Sequence, residues 1–240
     1  MEPCSQLSAA GVDRYFEYRR VTPDAYDNFR LPAYLPSYVP SDLSARIIDY
    51  GCGYGQYLKA LRELGYQALI GIDIEQSAIA HCRADNLTVI HGDDSDAVKS
   101  LAATADLVIM SHVLEHMPKE MMVKVLSRIR AMLAPGGKLL IMVPNAQSST
   151  GCYWAYEDFT HYALFTAGSL YYVLRAAGFS NVEFVDPDCI MGLPGWKVVG
   201  RRVLLGAYRL QYNFWNKVTQ SWTHGSFPMI FSYEIKALAC

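Results

Sequence analysis

The chain has no surplus of charge of either sign, no long apolar run and no clustered cysteines, and each absence removes a class of function. Twenty-one basic against 23 acidic residues leave a formal charge of -2, so no global field draws it to nucleic acid and no such partner is expected. No stretch approaches the roughly 18 uninterrupted apolar residues of a bilayer-spanning helix, and Met1 to Tyr18 lacks the apolar centre of a signal peptide. The expected location is cytoplasmic, with peripheral contact at the inner membrane face as the open alternative. Cys4, Cys52, Cys82, Cys152, Cys189 and Cys240 are scattered, with no Cys-x-x-Cys and no histidine at zinc-ligand spacing. That pattern argues against a metal knuckle or a disulfide framework, and no metal is expected.

What is present is a chain of 240 residues, 52% hydrophobic, long enough to bury one large core with an elaboration. Residues 1–44 are irregular and aromatic, with five prolines, and read as an N-terminal cap; a short helix around 12–20 is the one element expected there. Then strands near 46–50, 67–73, 87–91, 106–110 and 137–143 alternate with helices near 55–64, 75–84, 94–103 and 117–133. Such repetition argues for an α/β, doubly wound, mostly parallel sheet with right-handed crossovers. Met122, Val125, Leu126, Ile129 and Leu133 recur at helical spacing, and Ala134-Pro135-Gly136-Gly137 is the expected stop. A strand at 181–185 and a last one within 229–237 complete seven strands. The domain reading is therefore 1–44 cap, 45–185 core, 186–225 helical insertion and 226–240 last strand.

The pivotal stretch is Asp49-Tyr50-Gly51-Cys52-Gly53-Tyr54-Gly55, at the junction of the first strand and first helix. Glycines at alternate positions let the backbone take positive φ and let a ligand press on main chain, while the helix start offers N–H groups to an anionic group. In an open parallel sheet, ligands sit beyond the carboxyl ends of the strands, so the residues there carry the information. After strand two, Asp73-Ile74 lies about twenty residues past the glycine turn, where a carboxylate can accept bonds from ribose hydroxyls. Asp93 and Asp94 follow strand three and can meet an adenine amino group. Ser111-His112 and Glu115-His116 follow strand four, and Asn145 follows strand five. Any one of these can be a helix cap or turn residue; together they mark one end of the sheet.

Asp49 to Gly55, Ile72-Asp73, Leu114-Glu115-His116 and Leu133 to Leu139 together resemble the motifs of class I S-adenosylmethionine-dependent methyltransferases, over about residues 46–185. The resemblance implies S-adenosyl-L-methionine as cofactor. It places the methionine part on Gly51, Gly53 and Gly55, the ribose on Asp73, the adenine by Asp93 or Asp94, and the sulfonium beside Ser111 and His112. The segment Tyr156-x-Asp158-x-Thr160-His161-x-x-x-Phe165-Thr166 is similar to a pattern of methyltransferases of polysaccharide assembly and of some small-molecule ones. It implies a sugar or glycan-type hydroxyl acceptor.

A hydroxyl that attacks a methyl group must lose its proton, and His161 has a suitable ordinary pKa to take it. Asp158 would orient the ring or hold acceptor hydroxyls, and His116 and His112 are rival bases. The bland alternative is a loop staple, with Asp158 capping backbone and His161 tied to a carbonyl. Tyr153, Trp154, Tyr156, Phe159, Tyr162, Phe165 and Tyr171 crowd the same region as either core or stacking surface. A small phenolic or amine acceptor, a cofactor-binding subunit without turnover, and a nicotinamide-dependent oxidoreductase are the competing functions. Between Asp188 and Glu234 there are five Lys or Arg and no acids. Residues 196–222 read as a basic amphipathic helix in which Val199, Val203, Ala207, Leu210, Phe214 and Val218 form one stripe, with Arg201, Arg202, Arg209, Asn213, Asn216 and Gln220 opposite. It is expected to serve as a lid, a homodimer contact or a peripheral membrane contact.

Overall fold

The computed structural model describes residues 14–221 and 227–240; Cys4, Trp222 and the start of the Met1 to Tyr18 segment lie outside them. The elements are α1 (Tyr15–Tyr18), β1 (Ile47–Tyr50), α2 (Gln56–Glu63), β2 (Leu69–Asp73), α3 (Gln76–Ala84), β3 (Val89–His91), α4 (Ser95–Lys99) and β4 (Ala105–Ser111). After these come α5 (Lys119–Met132), β5 (Leu133–Pro144), α6 (Gly151–Glu157), α7 (Ala167–Ala176), β6 (Val182–Phe184), α8 (Gly195–Val218) and β7 (Glu234–Ala239). The seven strands form one sheet in the order β3-β2-β1-β4-β5-β7-β6. β1 pairs in parallel with both β2 and β4, β2 in parallel with β3, and β6 antiparallel with β7. This is the doubly wound fold that the alternation of elements predicts.

All four residues of β1 are buried, as expected of a central parallel strand covered on both faces. In α5, Met122, Val125, Leu126, Ile129 and Met132 are the buried stripe; Met132 takes the place expected of Leu133, which already belongs to β5. The helix thus ends just before the Ala-Pro-Gly-Gly stretch expected to stop it, and that stretch is itself part of β5. At Gly137 a Cβ would stand 2.4 Å from the Ala105 carbonyl oxygen, so the glycines admit a neighbouring backbone.

The chain divides into two compact units, one running to Ser111 and including Arg128–Leu140, the other made of His112–Ser127 and Ile141–Cys240. This cuts across the continuous 45–185 core read from sequence. In the first unit, Phe16 packs on Tyr54 with ring centroids 4.4 Å apart, and Phe29 on Tyr57 at 5.0 Å. The aromatic N-terminal segment thus lies on the start of α2 rather than forming a long helix of its own.

In the second unit, α8 leaves the stripe read from sequence exposed. Val199, Val203, Leu210, Phe214 and Val218 are all more than half exposed, whereas Val198, Arg201, Leu205, Tyr208, Tyr212 and Asn216 are the partly covered positions. Tyr208 and Tyr212 both pack on Phe231, Tyr212 also meets the Gln147 amide, and Arg201 donates to the Asp188 carbonyl. The helix rests on its own unit through its tyrosines and leaves its aliphatic stripe to solvent. No helix among the described residues is long and apolar enough to cross a membrane.

Candidate active site

In the first unit the turn after β1 is built on three glycines in the left-handed region, Gly51 at φ 81°, Gly53 at 51° and Gly55 at 78°. At Gly55 a Cβ would lie 2.6 Å from Leu87 and 3.0 Å from the Cys82 sulfur, so both conformation and space demand glycine there. The turn is tied down by Asp73. Its Oδ2 accepts from Gly53 N–H at 2.7 Å, and its Oδ1 accepts from Ile74 and Glu75 N–H at 2.8 and 2.9 Å. One carboxylate thus joins the end of β2 to the middle of the glycine turn.

Asp49 is buried, and its Oδ2 has no hydrogen-bond partner. Burial first and the nearby Asp73 second push its pKa up to about 8. Burial also raises the Asp73 pKa, against the three backbone donors that lower it. Among the described residues neither carboxylate has an ion pair. Two carboxylates beside a main-chain turn, one with an unused oxygen, form a site suited to a ligand carrying positive charge and hydroxyl donors. Ile74, 44% exposed, offers apolar surface next to Asp73.

The pair at the end of β3 separates into two roles. Asp94 caps α4 by accepting from Ala97 N–H at 3.0 Å, a structural duty, whereas the exposed Asp93 keeps its carboxylate clear of that helix. Ser111, at the end of β4, has its hydroxyl 3.5 Å from that of Tyr57.

The second unit gathers the other predicted residues. His112 takes φ 54°, an uncommon conformation for a residue with a Cβ. Its Nε2 is 3.1 Å from Glu234 and its Nδ1 3.3 Å from Glu115. Burial pulls its pKa down, but the hydrogen bonds and charges of these two carboxylates outweigh that and raise it to about 10. His112 is therefore an imidazolium at neutral pH and cannot act as a base, which removes one of the expected rivals. Glu234 and Lys236 were not legible as site residues, because charges in an alternating last strand read as solvent-facing. Both are buried, with the Lys236 ammonium 3.6 Å from Glu234 and 3.7 Å from Asp186.

Asp158 and His161 divide their work in the manner of the bland alternative. The buried Asp158 accepts from the Thr160 hydroxyl at 2.6 Å and its N–H at 3.0 Å. The ring of His161 is oriented by the Trp154 carbonyl, 2.7 Å from Nδ1. A carbonyl only accepts, so Nδ1 carries the proton and the lone pair is on Nε2. The same logic fixes His116. The Thr160 hydroxyl gives its proton to Asp158, so it accepts from His116 Nδ1 at 2.7 Å and leaves the His116 lone pair on Nε2 as well. Burial holds the His116 pKa below the ordinary value. The two rings stand with centroids 4.7 Å apart, and Tyr162 N–H donates to the Glu115 carbonyl at 2.8 Å, holding the loop against the Leu114–His116 turn. Asn145, read as a strand-end ligand, is buried and spends its amide on the carbonyls of Ile230 and Ser232.

Of the seven aromatics, Phe165 is core, but Tyr153, Tyr156, Phe159 and Tyr162 are 59%, 84%, 99% and 57% exposed, so most of the cluster is surface. A groove of about 940 Å³ in this unit, lined by residues including Gln147, Asp188, Arg209 and Phe227, contains none of the predicted site residues.

A family model described as a methyltransferase domain matches residues 15–184, from the aromatic segment to the end of β6. The chain belongs to the methyltransferase domain family. It is thus an enzyme of the methyl-transferring class, built on the class I fold. Its shape is similar to an S-adenosylmethionine-dependent methyltransferase from Archaeoglobus fulgidus, with 22% identity, 94% of this chain and 97% of that one covered, and a TM-score of 0.62. It is also similar to a methyltransferase solved in complex with the Trm112 activator from Haloferax volcanii, at 16% identity, 95% and 96% coverage and 0.62. A third is a phosphoethanolamine N-methyltransferase from Haemonchus contortus, at 19% identity, 95% and 59% coverage and 0.56. A comparison with curated proteins gives no match.

For this methyltransferase the raised pKa of Asp49 has a stability consequence. A carboxyl whose folded pKa lies above its unfolded one contributes stability that is complete below about pH 4 and is lost as pH rises through about 8. Without bound ligand, an Asp49→Asn variant is expected to gain melting temperature relative to the parent from pH 5 to pH 8, with the gain level above that. A gain independent of pH in thermal melts would contradict the assignment.

Proposed function

We propose that the chain transfers the methyl group of S-adenosyl-L-methionine to a hydroxyl oxygen of a sugar or glycan-type acceptor. S-adenosylmethionine, when bound, supplies a methyl group already activated as a sulfonium. Gly51, Gly53 and Gly55 would let its methionine part press against main chain bare of side chains, and the remaining lone pair of Asp73 would take a ribose hydroxyl. Ile74 and Asp93 would border the adenine, and Ser111 the sulfonium. Asp49 matches that positive charge at the turn. The observation that carries this reading is the unsatisfied Asp49 oxygen beside Asp73 in a glycine turn no larger side chain can occupy.

The acceptor end is read from the second unit. An acceptor hydroxyl meets two imidazoles, each held through Nδ1 so that Nε2 is the nitrogen turned to it. Either His161 or His116 can draw off its proton, or the two can serve together as ligands to a cation that acidifies it, the form argued below. Asp158 acts on the acceptor through Thr160 and His116 rather than by holding His161. The exposed rings of Tyr153, Tyr156, Phe159 and Tyr162 suit stacking on a sugar face. A phenolic acceptor would use the same rings and remains the second reading.

With labelled donor and a panel of sugar, phenol and amine acceptors, transfer to sugar hydroxyls is expected to exceed the others. His161→Ala is expected to lower turnover by about a hundredfold while leaving S-adenosylhomocysteine affinity near that of the parent. Unchanged turnover would reduce His161 to a staple.

The outward face of α8 supports an anionic membrane surface as the place of work. Trp196, Leu204, Leu210, Phe214 and Trp215 are exposed beside Lys197, Arg202, Arg209 and Lys217, with no acid on the helix. Apolar anchors interleaved with cations suit an interfacial helix. The chain should float with phosphatidylglycerol vesicles and lose this on Trp196→Glu with Trp215→Glu; failure to float, with a dimer on sizing, would give the face to a second copy.

A further inference from the structure

The charged groups of the second unit are linked in a way that neither the donor site nor a loop staple requires. Glu115 is completely buried; one carboxylate oxygen meets the His112 ring at 3.3 Å, and the other has no hydrogen-bond partner. A buried carboxylate with lone pairs unused costs several kcal/mol unless something of opposite charge meets it. One donor atom each from Glu115, His116 and His161 lie within 4.8 Å of one another. The imidazoles are held by bonds at Nδ1, from His161 to a main-chain carbonyl and from His116 to a hydroxyl. That is the outer-shell arrangement that fixes the tautomer of metal-binding histidines and directs the other nitrogen to an ion.

We propose that Glu115, His116 and His161 bind one divalent first-row transition-metal cation. Two imidazoles and one carboxylate are a donor set that suits zinc, cobalt, iron or manganese in preference to magnesium or calcium, which take oxygen ligands. Donors on a single such ion stand about 3.3 Å apart in tetrahedral geometry, so a small rotation of side chains closes the set. Three protein ligands leave a coordination position open, which fits an acceptor hydroxyl. The sequence reading expects no metal because it looks for ligand spacing along the chain; here Glu115 and His116 are adjacent and His161 arrives from a loop 45 residues on.

The proposal rests on reading this cluster as the acceptor end, and the test keeps the two apart by measuring binding without turnover. The full chain, stripped by chelator and dialysed, is titrated with cobalt(II) by visible absorption and with zinc(II) by calorimetry. One equivalent is expected to bind, with the intense visible bands of a low-coordinate cobalt site. Glu115→Gln, which keeps the side-chain size, and His161→Ala are each expected to weaken binding at least about tenfold, with S-adenosylhomocysteine binding and the metal-free melt retained as controls of the fold. If a variant fails to fold, the parent carries the test through the cobalt-shifted proton resonances of its coordinated imidazoles. No binding by the parent, or binding that both variants keep intact, overturns the site. Metal binding by a chain that methylates no hydroxyl sinks the acceptor reading and leaves the site standing, whereas undiminished hydroxyl methylation by a chain that binds no metal does the reverse.

Discussion

The Asp73 carboxylate is the interaction on which the donor half depends. It takes three backbone N–H groups from two segments, and so fixes the glycine turn to the end of β2. Charged acceptors of backbone N–H bonds are among the stronger hydrogen bonds in proteins, and burial strengthens them further. The same burial brings Asp49 and Asp73 close enough for each to raise the cost of the other's charge. The turn is thereby both rigid and electrostatically unbalanced, a binding site whose deficit is positive charge. Glycine at 51, 53 and 55 is the backbone condition for this arrangement, and the aromatic segment on Tyr54 and Tyr57 covers the helix that follows.

In the second unit the unbalanced group is Glu115. His112, Glu115, Glu234, Lys236 and Asp186 form a chain of linked charges, and Asp158, Thr160 and His116 form a second chain that ends at the other imidazole. Both lead to one small region. The left-handed backbone at His112 is consistent with a residue held for its side chain rather than for its fit to the fold, since such conformations persist where surrounding contacts impose them.

The parallel sheet and the glycine turn were legible in the sequence because both are local: strands of β-branched residues, and a turn that only glycine can make. What was illegible depends on partners remote in the chain. Asp94 and Asn145 look like ligand residues until one sees what their side chains cap or bridge. Glu234 and Lys236 read as solvent-facing charges in an alternating strand, yet they are buried because each finds an opposite charge elsewhere. Which face of α8 is covered was not legible, since an aliphatic stripe can face a lid contact, a second copy or a membrane; Tyr208 and Tyr212 make the packing contacts and the stripe stays exposed. The Pro-Gly-Gly stretch stops the helix as read and also belongs to the strand that follows, where the close approach of Ala105 to Gly137 requires a residue without a side chain. The ring of His161 is oriented by a carbonyl rather than by Asp158.

The central claim is that the turn braced by Asp73 seats a sulfonium nucleoside. Calorimetric titration of the chain with S-adenosylhomocysteine tests it most directly. The account predicts one site per chain and at least about tenfold weaker binding by Asp73→Ala; absence of binding by the parent, or equal affinity in the variant, would contradict it.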